Sequence, residues 1–325
     1  MTEAAILEVR DLRVEFRSGG SWHPAVRGVD LSVARNETLA VVGESGSGKS
    51  VTALAVMGLV PPENGRIAEG TIHLHGKDLV GLPERALDKV RGNRVAMIFQ
   101  EPMTALNPTM RVGDQVAESL RTHRGMDRNA AWTEALRMLD LVRVPSAAKR
   151  AHDYPHQFSG GMRQRVMIAM ALACRPDVLL ADEPTTALDV TIQAQVLSLI
   201  EDLKREYGLA VLFITHNLGV VALIADRVAV MYAGEIVETA SANALFEAPR
   251  HPYTEALLAS MPRVDRDLGA LDPIKGNVPS IREVGVGCAF APRCPLAMDR
   301  CRAERPPLTP LGAGRSVRCW VRGSA

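Results

Sequence analysis

The chain is 325 residues long, beyond the roughly 250 to 300 at which one hydrophobic core stops growing, so one large domain with an appended smaller one is expected. Hydrophobic residues make up 47% and charged residues 23%, which excludes disorder over most of the length. Lysine and arginine number 38 against 37 acidic residues, and the resulting +1 excludes a global field drawing the chain to nucleic acid or anionic lipid.

In chain order, Met1-Thr2-Glu3 places an acid where a secretory signal carries positive charge, and no apolar run approaches the roughly 18 residues that span a bilayer. A cytoplasmic protein is expected. Nearly continuous apolar runs predict strands over Thr38–Val42, Val95–Phe99, Val178–Ala181, Ala210–Thr215 and Arg227–Met231. Helical patterns over Ser50–Gly58, Met162–Cys174 and Ile192–Tyr207 alternate with them, which predicts an α/β fold with a mostly parallel sheet covered on both faces. Ten of the 20 prolines lie between Pro249 and Pro310, so a boundary is expected near residue 248, followed by a loop-rich tail with little core of its own.

Gly43-Glu44-Ser45-Gly46-Ser47-Gly48-Lys49-Ser50 lies between a predicted strand and a predicted helix, the context a phosphate-binding loop requires. Its glycines let backbone N–H groups turn toward phosphate oxygens, and the helix N-terminus adds partial positive charge. Lys49 reaches the outer phosphates and Ser50 can ligate Mg²⁺. The strand Val178–Ala181 ends in Asp182-Glu183, putting two carboxylates at a C-terminal strand edge, where open α/β sheets bind ligands. Asp182 is the expected Mg²⁺ ligand, and Glu183 is expected to orient or deprotonate an attacking water. His216 follows another strand and is the candidate stabiliser of transition-state charge.

The run Tyr154-Pro155-His156-Gln157-Phe158-Ser159-Gly160-Gly161-Met162-Arg163-Gln164-Arg165 precedes the carboxylate strand by one helix, and with it the chain resembles the ABC-transporter ATPase family over about residues 6 to 325. Ser159-Gly160-Gly161 looks like that family's signature motif, in which glycines at a helix start offer N–H donors to an anion. Met162 departs from the glutamine many members carry and leaves those donors in place. The resemblance implies a P-loop NTPase with a RecA-like core, an antiparallel β subdomain and a helical subdomain near 101–165. It implies ATP sandwiched between the phosphate loop of one subunit and the signature of another.

Further implications attach to single residues. Phe16 aligns with an aromatic that stacks on adenine, although a strand-core role is the other reading. Gln100 looks like the glutamine that couples Mg²⁺ and the attacking water to transmembrane subunits. Ala187-Leu188-Asp189 resembles the loop that touches the opposite subunit. Gln100-Glu101-Pro102-Met103-Thr104-Ala105-Leu106-Asn107-Pro108 and His251-Pro252-Tyr253-Thr254 are similar to the oligopeptide/dipeptide importer ATPases. The Met-rich helix from Gly161 to Met170, with Ser47 inside the phosphate loop, looks like their D-type subunit.

That resemblance implies residues 1–248 as the nucleotide-binding domain and 249–325 as a peptide-importer C-terminal domain. It also implies an F-type ATPase partner or a homodimer, two transmembrane permease subunits, an extracytoplasmic peptide-binding protein and a place on the cytoplasmic face of the membrane. A soluble ABC ATPase acting on nucleic acid or ribosomes is the competing class, disfavoured by the neutral charge and the tail. Import of other small cargo such as nickel or glutathione, or a structural role in which this chain binds ATP but hydrolyses it poorly, are the nearer alternatives.

Four of the five cysteines, Cys288, Cys294, Cys301 and Cys319, fall in the proline-rich tail, where a metal could supply missing cross-links. The spacing lacks the close pairs of structural zinc sites. The resemblance points to a [4Fe–4S] cluster, with zinc or unliganded thiols as the other readings. Cys174 stands in an apolar stretch and is expected to be core.

Overall fold

The fold is described in a computed structural model over residues 5–186, 188–261 and 274–323. It divides into two compact units, one built mainly from Gly81–Leu212 and the other from Leu7–Val33, Glu37–Val80 and Phe213 onward.

In the first unit, strands Val95–Ile98 and Val178–Asp182 pair in parallel, with Val95 opposite Val178 and Ile98 opposite Ala181. Every residue of both strands is buried, as expected of strands covered on both faces. The predicted strand over Val95–Phe99 stops one residue early, and Phe99 is exposed. Among the described residues of this unit the longer helices are Val112–Arg124, Arg128–Leu141, Gly160–Leu172 and Val190–Tyr207, with one-turn helices at Glu84–Leu87, Pro102–Ala105 and Ala147–Arg150. Their starts follow from side chains that satisfy orphan amides. Asp127 accepts from the amides of Asn129 and Ala130 at 2.9 Å each, and Asp189 accepts from Ile192 at 2.9 Å. Cys174 is fully buried as expected; its thiol donates to the Ser119 carbonyl at 3.4 Å, and burial pushes its pKa up.

In the second unit, a four-stranded sheet has the order Ser21–Ala34, Ala5–Ser18, Gly65–Leu74, Lys77–Asp78. The apolar pattern does not announce these strands, because the alternation in Ala5–Ser18 is interrupted. Asp11 adopts φ 42° and the pairing with Gly65–Leu74 slips between Arg10 and Arg13. The strand Thr38–Val42, wholly buried, runs parallel to Arg227–Tyr232, which pairs antiparallel with Glu235–Ser241.

The tail extends this sheet. Arg315–Val317 pairs antiparallel with Glu235–Ser241 through Glu238 and Thr239, and Thr309–Gly312 pairs with Arg315–Val317. The buried Glu238 carboxylate pins the chain where the tail begins: it accepts from the amide of Arg250 at 2.8 Å, from that of His251 at 2.7 Å and from the Arg315 guanidinium at 2.9 Å. Tyr232, Tyr253 and Phe290 pack together as an aromatic cluster with centroids 4.6 to 5.4 Å apart. The tail is loop-rich, as expected, but it shares a core with the strands before it.

Candidate functional site

The phosphate loop forms where the buried strand Thr38–Val42 meets the helix Lys49–Val56, which opens at Lys49 where the sequence placed its start at Ser50. Gly43 has φ 155° and an added Cβ would lie 2.1 Å from the Met231 carbonyl oxygen, so only glycine fits. Gly48, at φ 102°, would press a Cβ to 2.8 Å from the Ala25 carbonyl oxygen. Around Gly46 nothing lies within 4 Å of an added Cβ, and Ser45 and Gly46 form an exposed rim over the buried Ser47. Lys49 is buried; its ammonium donates to the carbonyls of Gly43 at 2.8 Å and Glu44 at 2.9 Å and to Ser47 Oγ at 3.4 Å. A buried ammonium beneath an open, glycine-rimmed turn suits the phosphates of a nucleotide. Ser50 is half-buried on the first turn of the helix.

In the same unit, Phe16 lies opposite Gly65 in the Ala5–Ser18 strand and is half-buried; its Cε1 stands 2.9 Å from where a Gly65 Cβ would be. His216 is exposed directly after the strand Ala210–Thr215, and Asn217 beside it caps the next helix by accepting from Gly219 at 3.0 Å.

The carboxylate pair lies in the other unit. Asp182 is the buried last residue of its strand. Glu183 follows at φ 47°, a left-handed conformation that costs a non-glycine residue about 1 to 3 kcal/mol and is characteristic of functional sites. Its carboxylate accepts from Gln100 Nε2 at 3.3 Å and from Thr186 Oγ1 at 2.9 Å. Gln100 and Glu183 are therefore brought together, and Thr186 is a contact that sequence reasoning missed.

Ser159, Gly160, Gly161 and Asp189 line one cleft of about 500 Å³, together with Arg165 and Gln195. Ser159 caps the helix Gly160–Leu172, accepting from the Met162 amide at 3.4 Å. An added Cβ on Gly160 meets nothing within 4 Å, so its backbone is open to a ligand. Gly161 serves packing: its Cβ would meet Ile192 Cγ2 at 2.7 Å. Arg165, unassigned by sequence, is held by the Val142 carbonyl and Gln195 Oε1 at 2.8 Å each, and burial lowers its pKa. Leu188 also borders this cleft, whereas Ala187 of the same expected loop lies outside the described residues.

The tail cysteines share a neighbourhood. The Cys288 amide donates to the Cys301 carbonyl at 2.7 Å, and burial, with Cys301, Glu235 and Cys294 nearby, pushes the Cys288 thiol up to about 11. Burial also raises Cys294, with Cys319 and Cys301 acting in the same direction. Among the described residues no group of three or more His, Cys, Asp or Glu side chains is arranged to hold a metal ion.

Comparison with known proteins places these features. Residues 26–186 match the ABC transporter family and residues 237–301 the C-terminal region of the oligopeptide/dipeptide transporter family. The chain is 51% identical over 318 residues to the oligopeptide transport ATP-binding protein AppD of Bacillus subtilis (strain 168), covering 98% of this chain and 97% of that protein. It is 50% identical to the dipeptide transport ATP-binding protein DppD of the same organism, covering 98% and 95% of the two chains. It is 51% identical to the oligopeptide transport ATP-binding protein OppD of Salmonella typhimurium, covering 97% and 93%. Among solved structures it is similar to the ATP-binding cassette MJ0796, dimeric and bound to ADP and Pi in a post-hydrolysis state. That match has a TM-score of 0.66 and 27% identity, covering 73% of this chain and 98% of the other.

Proposed function

The chain belongs to the ABC transporter family, in its oligopeptide/dipeptide-transporter branch, and from that membership we propose that it is the ATP-hydrolysing, energy-coupling subunit of a peptide importer. The observation that carries this reading is the joint presence of a phosphate loop and the oligopeptide/dipeptide C-terminal region in a chain about half identical to peptide-transport ATP-binding proteins over nearly its whole length.

The phosphate loop would hold ATP through its backbone amides, with Gly43, Ser45, Gly46, Ser47 and Gly48 shaping the turn and Lys49 meeting the outer phosphates. Ser50, Gln100 and Asp182 would each be a candidate ligand of Mg²⁺, which when bound would neutralise charge on the phosphates. Glu183 acts on the attacking water as general base, oriented by the hydrogen bonds from Gln100 and Thr186. His216 would stabilise charge that develops on the transferred phosphoryl group, and Phe16 would stack on adenine. The cleft at Ser159, Gly160 and Gly161, flanked by Asp189, would receive the phosphates of a nucleotide held by a second ATPase subunit.

In this reading the chain pairs with an F-type ATPase at the cytoplasmic face of the membrane and drives two permease subunits that a peptide-binding protein supplies. Among the described residues no helix is long and apolar enough to cross a membrane. In the same reading the nucleotide-binding domain spans residues 1–248 and the C-terminal domain residues 249–325. A [4Fe–4S] cluster on Cys288, Cys294, Cys301 and Cys319 rests on family resemblance alone. Its test is iron and labile-sulfide analysis of anaerobically purified protein.

Affinity purification of the tagged chain from solubilised membranes tests the function. Two hydrophobic subunits and a second ATPase are expected in the eluate, with ATP hydrolysis. A lone soluble homodimer that sediments with ribosomes or DNA would overturn it.

A further inference from the structure

Glu44 is the second residue of the phosphate loop, and an acid there is an electrostatic problem. A carboxylate on an element that must receive a polyphosphate repels it, and the repulsion grows as water is excluded. The structure shows how this charge is managed. The Arg293 guanidinium grips Glu44 as a fork, with Nη1 donating to Oε2 at 2.8 Å and Nη2 to Oε1 at 3.1 Å. Arg293 is only 6% exposed and its remaining donors are also committed. Its Nε donates to the Lys275 carbonyl at 2.9 Å, Nη2 to those of Ile274 at 3.3 Å and Gly276 at 3.1 Å, and Nη1 to the Tyr232 hydroxyl at 3.3 Å. Burial works against the charge of Arg293, and the hydrogen bonds it donates to Glu44 and Tyr232 outweigh it, raising its pKa.

The backbone of Glu44 is held as well. Its amide donates to the Tyr253 hydroxyl at 2.9 Å, and Tyr253 is fully buried against Tyr232 and Phe290. Both the side chain and the amide of one phosphate-loop residue are thus tied to groups more than 200 residues later in the chain.

We infer that Arg293 and Tyr253 are positioning residues for the phosphate loop: together they neutralise and immobilise Glu44, so that the C-terminal region sets the affinity of the loop for nucleotide. Arg293 supplies the charge compensation and Tyr253 the fixed backbone. This rests on the reading of the loop as the ATP phosphate site.

The test is equilibrium binding of a fluorescent ATP analogue to the purified full-length chain. R293A leaves the Glu44 carboxylate uncompensated and is expected to raise Kd about tenfold, or about 1.4 kcal/mol. E44Q/R293A removes that carboxylate and is expected to return Kd to within about threefold of the parent, a rescue that a scaffolding role for Arg293 does not produce. R293K, which keeps a charge but not the fork and serves if R293A does not fold, is expected to lose about threefold. Parent-like binding by R293A or R293K overturns the inference, as does a double variant as weak as R293A. K49A separates the two readings. If K49A binds the analogue like the parent, the phosphate-site reading falls and takes the inference with it; if K49A loses binding while R293A does not, the inference alone falls.

Discussion

Gln100 donates its side-chain amide to the Glu183 carboxylate across 3.3 Å, although 83 positions separate them in the chain. The parallel register produces the meeting. Ile98 is paired with Ala181, and each functional residue lies two positions beyond its member of that pair, so both leave the strands at the same level. Glu183 then turns through a left-handed φ of 47°, and Thr186 Oγ1 donates to its carboxylate from the following turn at 2.9 Å.

Replacing Glu183 by Gln keeps the shape and removes the proposed base. ATP turnover by the assembled transporter is expected to fall at least about 100-fold, with ATP still bound, since general-base catalysis contributes roughly 10² to 10⁴. Steady-state hydrolysis alongside retained radiolabelled ATP checks it. Parent-like turnover would exclude Glu183 as the base.

Gly161→Ala should injure the signature helix through packing alone. Its new Cβ would stand 2.7 Å from Ile192 Cγ2, an overlap that costs about 1 to 3 kcal/mol on relaxation. Ile192→Ala in the same chain removes the colliding methyl and is expected to recover most of the lost thermal stability, read by differential scanning calorimetry.

Tyr253→Phe deletes the acceptor of the Glu44 amide and leaves the rings of the aromatic cluster in place. A loss of about 1 kcal/mol in unfolding free energy is expected from the missing hydrogen bond, measured by urea denaturation.

His251 makes the stability of the protein acid-sensitive. Burial, and the charge of nearby Arg318, push its pKa from 6.5 down to about 3, so the folded chain holds it neutral, with Nδ1 accepting from the Tyr253 amide at 3.0 Å. The unfolded chain takes up this proton near 6.5 and the folded chain only near 3. The contribution of His251 to stability is therefore complete above 6.5 and is lost as pH falls from there toward 3. His251→Asn, which retains a cap acceptor, should show a shallower decline of melting temperature between pH 6.5 and 4 than the parent.

Much of this arrangement is legible in the chain because its signals are local. The phosphate loop, the Asp182-Glu183 pair and the Ser159-Gly160-Gly161 helix start each occupy a short run whose residue types match their chemistry. The strands flanking these runs are legible because burial on both faces makes them continuously apolar. What escapes depends on distance or on backbone twist. Nothing near Glu44 announces Arg293, and the pairing exists only once the tail folds back. The hairpin formed by Thr309–Gly312 and Arg315–Val317 is masked by Pro310 and the turn glycines, and an edge position is what lets proline sit there. The left-handed turn at Glu183 has no residue-type signal, since glutamate gives no hint of positive φ.

Coupling of ATP hydrolysis to peptide import is tested most directly with this chain assembled with its permease and ATPase partners in lipid vesicles, with and without peptide-loaded binding protein. Peptide is expected to raise hydrolysis, labelled peptide to accumulate inside in step with it, and Lys49→Ala to abolish both. Hydrolysis indifferent to peptide, with no uptake, would show that the chain does not drive peptide import.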